Sequence, residues 1–362
     1  MTKLPLDKPL SISYNATGCN DQERMMMAKT VQTIEDIARL ANVSKSTVSR
    51  ALNDSPLINQ ETRERIQSLA REYNFRINAP ARNLSMRQSH TLGFVSYACS
   101  GKNFSAENMF GLELLGGVSD GLRPLGYDLL VVPVEPHDTT WAHQYLNSGR
   151  VDGFVLTIST RKQKMINELV NMGIPFILWG FPQPNSSFCT VCGDDVTGGR
   201  IATEYLIRTG RQHIGFLGGP MDEIEVKYRH HGYELALQNA GRYLDPDLVV
   251  YGDYSHTSGI TAMKRLLEQK PDLDAVFVNS DVMALGAIQY IQSCGKRVPE
   301  DIAVVGYDDL LLARYNNLPI TTIRQNIPLA GKLLAENLIQ YIQTGVVTNV
   351  NLPVELVIRK TA

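Results

Sequence analysis

The sequence predicts an α/β protein with a small all-α helix-turn-helix headpiece at residues 31–76 and a core of two α/β lobes with parallel sheets at residues 91–362. Three observations predict it. Helix-period apolar spacing with cap residues fills the first segment. From Thr91 onward, short runs that are apolar throughout alternate with helix-length segments, the pattern of parallel strands covered on both faces. Charge divides at the same place: residues 28–90 hold ten Lys/Arg and six Asp/Glu, a net +4, whereas residues 91–362 hold 22 basic and 28 acidic groups, a net −6. A basic segment on an acidic body implies one part that meets a polyanion and another that does not.

Composition excludes several classes. At 43% hydrophobic and 20% charged residues the chain has globular composition. The length of 362 residues exceeds one ordinary domain of roughly 100–200. No apolar run reaches the ~18 residues that span a bilayer, and the first twenty residues lack the apolar core of a secretory signal. Five cysteines are too few and odd in number for a disulfide framework, which fits a reducing cytoplasm. Residues 1–30 are polar and without period. They are expected to be a disordered tail, or a product of a start placed ahead of Met25-Met26-Met27.

In the headpiece, Thr33 followed by Asp36 forms a capping pattern, and Ile34, Ile37, Ala38 and Ala41 give the first helix one apolar face. Asn42-Val43 breaks the period and Ser44 caps a second helix, whose inward face is Val48, Ala51 and Leu52. Asn59 caps a third, with Ile66, Leu69, Ala70 and Tyr73 on its inner side. The turn joining the first two helices has only about three or four residues, as in a helix-turn-helix. Residues 77–90 are expected to be a hinge segment, either a linker or a marginal helix.

With Val48 inward, Lys45, Ser46 and Arg50 project outward near the start of the second helix. In a helix-turn-helix such residues meet base edges in the major groove. Arginine can grip guanine bidentately, worth about 1–3 kcal/mol of discrimination. Ser44, Thr47 and Ser49 suit phosphate contacts, which set register without reading sequence. The plainer alternative is a helical packing module with a solvated polar face.

The segments EDIARLANVSKSTVSRALND, ETRERIQSLAREYNF and INAPARNL resemble the N-terminus of the lactose-repressor (LacI/GalR) family of bacterial transcription regulators. The similarity continues through GDDVTGGRIATEYLIRTGRQHIGFLGGP, DAVFVNSDVMALGAIQYIQSCGKRVPEDIAVVGYDDL and LPITTIRQNIPLAGKLLAENL to LPVELVIRK, so it covers about residues 31–360. The resemblance implies a homodimer on a pseudo-palindromic operator of double-stranded DNA, in the cytoplasm and on the nucleoid. It puts Lys45, Ser46 and Arg50 where the family reads bases. It makes residues 78–86 a hinge helix that folds on DNA, with Leu84 as a minor-groove wedge flanked by Asn78 and Arg82. Pro80 lies early enough in that helix to be tolerated.

The same resemblance implies a core like that of periplasmic sugar-binding proteins, holding a small, sugar-like effector between its lobes. Arg229 matches the family's effector-gripping arginine and Asp308 an acidic ligand. Ser280 stands where the family often has asparagine, and Tyr254 at an aromatic platform. Tyr97, Phe110 and Trp179 are the first-lobe candidates. The structural alternatives are an ion pair for Arg229, a turn cap for Asp308 and core packing for the aromatics. An effector that changes the lobe angle would release or admit the hinge helices, repressing or derepressing a carbohydrate-utilisation operon. The absence of a leucine heptad after Arg359-Lys360 favours a dimer over a tetramer.

Other signals are weaker. Cys189-x-x-Cys192 has no second ligand pair for zinc and is expected to be two reduced strand cysteines. Asp194-Asp195 and Asp308-Asp309, if on strands, point to opposite faces and do not flank one bond as a glycosidase requires. No cofactor is implied. A sugar-binding protein without a DNA role, which the lack of a signal peptide opposes, and a sugar-processing enzyme, which the lack of a catalytic constellation opposes, are the other classes.

Overall fold

In the computed structural model, residues 33–75, 88–96, 108–134, 139–157, 163–183 and 186–362 are described. The expected hinge contacts Asn78, Arg82 and Leu84, and the expected pocket residue Tyr97, lie outside them. The chain divides into two compact units, residues 1–85 and 86–362.

Among the described residues the first unit has three helices, α1 (Ile34–Ala41), α2 (Lys45–Leu52) and α3 (Gln60–Glu72). Each starts where a side chain can take an otherwise unpaired amide. Thr33 Oγ1 accepts from the Asp36 amide at 3.2 Å while the Asp36 carboxylate accepts from the Thr33 amide at 3.1 Å, a reciprocal capping box. Ser44 Oγ and Asn59 Oδ1 cap α2 and α3 through the amides of Thr47 and Thr62. Asn42, with φ of 51°, ends α1 in the left-handed region that asparagine tolerates. Ile37, Ala38, Ala41, Val48, Ala51 and Ile66 form the core. Tyr73, expected inside, is 42% exposed, and Phe75 packs there instead.

The second unit contains two six-stranded sheets. Its strands are β1 (Thr91–Ser96), β2 (Asp128–Val131), β3 (Gly153–Thr157), β4 (Phe176–Trp179), β5 (Cys189–Gly193), β6 (Ile214–Gly218), β7 (Val249–Tyr251), β8 (Ala275–Val278), β9 (Ala303–Asp308), β10 (Thr321–Gln325), β11 (Asn349–Leu352) and β12 (Val354–Val357). The first sheet, ordered β11-β5-β4-β3-β1-β2, is parallel throughout. The second, ordered β12-β10-β9-β8-β6-β7, is parallel except for the antiparallel β10–β12 pair. The predicted pair of α/β lobes with parallel sheets is therefore present.

The helices of this unit are α4 (Met109–Leu122), α5 (Thr140–Asn147), α6 (Gln163–Asn171), α7 (Asp195–Arg208), α8 (Ile224–Asn239), α9 (His256–Gln269), α10 (Asp281–Ser293), α11 (Leu311–Tyr315) and α12 (Ile327–Thr344). The chain passes between the sheets three times, from β5 through Asp194 to α7, from β10 through Asn326 to α12, and from β11 through Pro353 to β12. Residues from both lobes share one apolar cluster, in which Val282, Leu310 and Ile327 pack with Leu92, Leu114 and Ile177. The α7–α8 contact is close because both helices present glycine: a Cβ on Gly199 would strike the Arg229 carbonyl, and one on Gly232 the Val196 carbonyl. That approach sets the position of Arg229. Among the described residues no helix is long and apolar enough to cross a membrane.

Candidate functional site

On the headpiece, Lys45, Ser46 and Arg50 are exposed, and Thr47 and Ser49 are half-buried. Ser44 is occupied locally: its hydroxyl caps α2 and lies 2.7 Å from Ser46 Oγ and 2.8 Å from Thr47 Oγ1. The Lys45 ammonium is ion-paired with Glu35, which holds the Glu35 carboxyl below its ordinary range. An exposed pair of this kind contributes ~0.2–1 kcal/mol, so a base or phosphate can displace it. Two of the arginines in the basic excess turn inward. Arg65 donates to the Ala41 carbonyl at 2.9 Å, and Arg63 to the Ser55 and Ile58 carbonyls. These bonds satisfy the last carbonyl of α1 and two carbonyls in the loop between α2 and α3.

In the core, Arg229 projects from α8 toward the carboxyl ends of the second-lobe strands, where open parallel sheets bind ligands. Its Nε donates to Asp195 Oδ1 at 2.7 Å and its Nη1 to the Asn279 carbonyl at 2.8 Å. The guanidinium stacks 3.7 Å above the Tyr307 ring, whose hydroxyl donates to the same Asp195 oxygen at 2.9 Å. The ion-pair alternative for Arg229 is thus observed, and it orients the guanidinium. Asp194 and Asp195 are not on a strand: Asp194 caps α7 and Asp195 is its first residue. Burial raises the Asp195 carboxyl, and the Arg229 charge opposes that rise.

Asp308, the last residue of β9, is buried with φ of 109° and accepts from Gln325 Nε2 at 2.8 Å. Burial pushes its carboxyl up to about 7, with Arg229 pulling the other way. Glu225, one turn before Arg229, is also pushed up to about 7 by burial and by the Glu223 charge, and its Oε2 is buried without a partner. The Ser280 hydroxyl caps α10 through the Met283 amide at 3.2 Å, accepting there while its own proton is left to donate. Beside it, Asn279 has both side-chain amide atoms buried and unpartnered. No sequence signal marked Asn279, because an unmet hydrogen bond is visible only once the chain is folded.

Tyr254 is half-buried with φ of 69°, its ring against Gly219 and near enough to Arg229 for the charges to interact. Phe110 and Trp179 form a half-buried pair on the first lobe, with ring centroids 5.4 Å apart. Phe181, just after β4, meets Tyr228 of α8 edge-to-face at 4.4 Å, an aromatic contact across the lobes that the sequence did not single out. A second bridge joins α4 to α11, where Glu113 Oε1 accepts from the Leu311 amide at 3.2 Å.

Cys189 and Cys192 are free and buried in β5, and burial pushes the Cys192 thiol up to about 12. Asp309, next to Asp308, turns to a separate cluster of Arg314, Arg324 and Arg359 that holds it below the usual carboxylate range despite its burial.

Two family descriptions match the chain: "Bacterial regulatory proteins, lacI family" over residues 33–78 and "Periplasmic binding protein-like domain" over residues 203–362. The HTH-type transcriptional regulator CelR of Thermobifida fusca is 36% identical over 331 residues, covering 90% of this chain and 95% of that protein. A solved CelR–cellobiose complex superposes with a TM-score of 0.70 at 33% identity, covering 91% and 99% of the two chains. The lac repressor dimer bound to operator and the anti-inducer ONPF gives a TM-score of 0.77 at 28% identity, covering 91% and 98%. The headpiece with its capped helices, the two parallel-sheet lobes and the similarity along nearly the whole chain agree: this protein belongs to the LacI family of bacterial transcription regulators.

Proposed function

We propose that the protein represses a carbohydrate-utilisation operon as a homodimer, and that a neutral sugar bound between its lobes controls its hold on the operator. The single observation that carries the effector assignment is the buried polar group at the strand ends, where Arg229, fixed by Asp195 and Tyr307, lies near Asp308. A guanidinium offers hydroxyl groups donors and a carboxylate offers them an acceptor. Tyr254, Phe110 and Trp179 supply apolar faces on which sugar rings stack. Ser280 accepts from the Met283 amide and keeps its hydroxyl proton to donate to the sugar.

On DNA, Lys45, Ser46 and Arg50 read major-groove edges, while Ser44, Thr47 and Ser49 hold phosphates. Leu84 enters the minor groove as a wedge, with Asn78 and Arg82 as accompanying backbone or minor-groove contacts. The cellobiose complex of CelR and the operator-bound dimer of the lac repressor support the ligand class and the assembly. The cleft acts in binding rather than in turnover, because Asp195 and Asp281 are each held by neighbouring donors.

Gel-shift titration on the protein's own promoter region, with and without a panel of neutral sugars, tests this reading. Coupling of about 1–3 kcal/mol between effector and operator gives a 5–150-fold change in operator affinity. Absence of retardation under any ligand or salt condition overturns the assignment.

A further inference from the structure

Asn279 is the one side chain among the described residues whose amide oxygen and nitrogen are both buried with no hydrogen-bond partner. Its own backbone is well used. The amide donates to the Leu217 carbonyl at 2.9 Å, and the carbonyl accepts from Arg229 at 2.8 Å. The side chain follows from strand alternation. Val276 and Val278 pack among Leu217, Met283 and Ile288, whereas Ala275 and Phe277 pack with Tyr233 and Tyr307. Position 279, the next residue after β8, continues the second face, the one that carries Arg229 and Tyr307 at the carboxyl end of the sheet.

An unpaired amide at such a place is costly. A buried donor or acceptor left unsatisfied costs about 1–3 kcal/mol, and native proteins keep few of them. Other unpartnered atoms are scattered through the described residues, among them those of Trp141, His143 and Asn337, but two lie beside Asn279's neighbours. Gln325 Oε1 and Glu225 Oε2 are also buried without partners, and these residues surround the same pair, Gln325 bonded to Asp308 and Glu225 acting on Arg229. Four unmet polar atoms, on Asn279, Gln325 and Glu225, thus belong to residues bonded to or acting on Arg229 and Asp308.

Resting on the effector reading above, we infer that Asn279 is a specificity-determining contact that takes two neighbouring hydroxyl groups of a neutral sugar, its oxygen accepting from one and its nitrogen donating to the other. Each sugar hydroxyl can both donate and accept, which matches an amide better than a purely anionic or purely cationic ligand does. A site built to hydrogen-bond a hydroxyl also rejects analogues that lack it, because the amide is then stranded.

The test compares full-length wild type with Asn279→Ala by thermal shift and calorimetry. The probes are cellobiose, lactose, D-ribose and D-glucose. Operator retardation by the variant establishes that it folds. For the probe that stabilises wild type most, Asn279→Ala is expected to bind about tenfold more weakly. Its melting temperature without sugar is expected to equal or exceed that of wild type, since the truncation removes an unsatisfied group. Equal sugar affinity overturns the contact while leaving the effector reading intact. A sugar-free melting temperature several degrees lower also overturns it, because the amide is then satisfied within the protein, as by a resident water. If no probe shifts the wild type, the effector reading falls and this contact with it.

Discussion

Replacing Asp195 with asparagine tests whether the site is organised by charge. The pair is almost wholly buried, with side-chain exposures of 6% for Arg229 and 2% for Asp195. Asp195→Asn preserves volume and one acceptor, so the Tyr307 hydroxyl or the Arg229 Nε can still be served. What is lost is the charge opposite a buried guanidinium. Removing one partner of a buried pair costs about 3–5 kcal/mol, because the other charge is stranded. Arg229→Met should cost less than Asp195→Asn, since burial already raises the Asp195 carboxyl and it can neutralise itself by taking a proton. The double variant should then be more stable than Asp195→Asn alone. Urea unfolding followed by far-ultraviolet circular dichroism measures all three. If the two single costs add to within ~0.5 kcal/mol, the groups are uncoupled and the reasoning fails.

Three further outcomes are expected. Asp308 titrates at about 7 in the fold, well above a free carboxyl, so between roughly pH 4 and 7 rising pH costs stability, the unfolded chain being ionised while the fold keeps the proton. A sugar hydroxyl donating to Asp308 favours the ionised form. Effector affinity should therefore climb with pH up to about 7 and then level off, and a flat profile by calorimetry contradicts this. Ser44→Ala should lower headpiece stability by about 1 kcal/mol through loss of the α2 cap, seen as lower protection of the α2 amides in hydrogen exchange; unchanged protection refutes the capping role. Glu113→Ala should weaken effector binding about threefold to tenfold, since its bond to the Leu311 amide joins the lobes. Unaltered affinity means that the bond does not hold the closed arrangement.

The headpiece was legible because its determinants are local. Thr33, Ser44 and Asn59 cap through amides only three residues away, and the apolar period of Ile37, Ala38 and Ala41 needs no distant partner. The strand-and-helix alternation was legible for the same reason. The returns of β11 and β12 to two different sheets were not, because their partners, β5 and β10, lie far back in the chain. Asp195 misled in the sequence because an acidic pair after an apolar run can end a strand or begin a helix. The choice is made by Asp194 capping Thr197. Ser280 was placed by resemblance as a ligand, and the fold adds a second task that its position after an apolar run did not reveal, accepting from the Met283 amide to cap α10. Arg63 and Arg65 count toward the basic excess of the segment, but each also donates to a backbone carbonyl of the headpiece, which a charge sum does not reveal.

The site and the connections between the lobes share residues, and that gives coupling a physical basis. The first crossing passes from Gly193 through Asp194 into Asp195, which holds Arg229. The second leaves β10 at Gln325, which holds Asp308. Rotating one lobe on the other changes backbone angles at these short connections, and with them the positions of the groups that orient the guanidinium and the carboxylate. A sugar bound to Arg229 and Asp308 in one lobe orientation must therefore bias that orientation by its difference in affinity for the two, and by no more than that. The Phe181–Tyr228 and Glu113–Leu311 contacts add a fixed preference for the arrangement in which they form. Ligand and contacts thus act on the same hinge, so weakening either bridge should change how far the effector can shift operator binding without touching the reading helix itself.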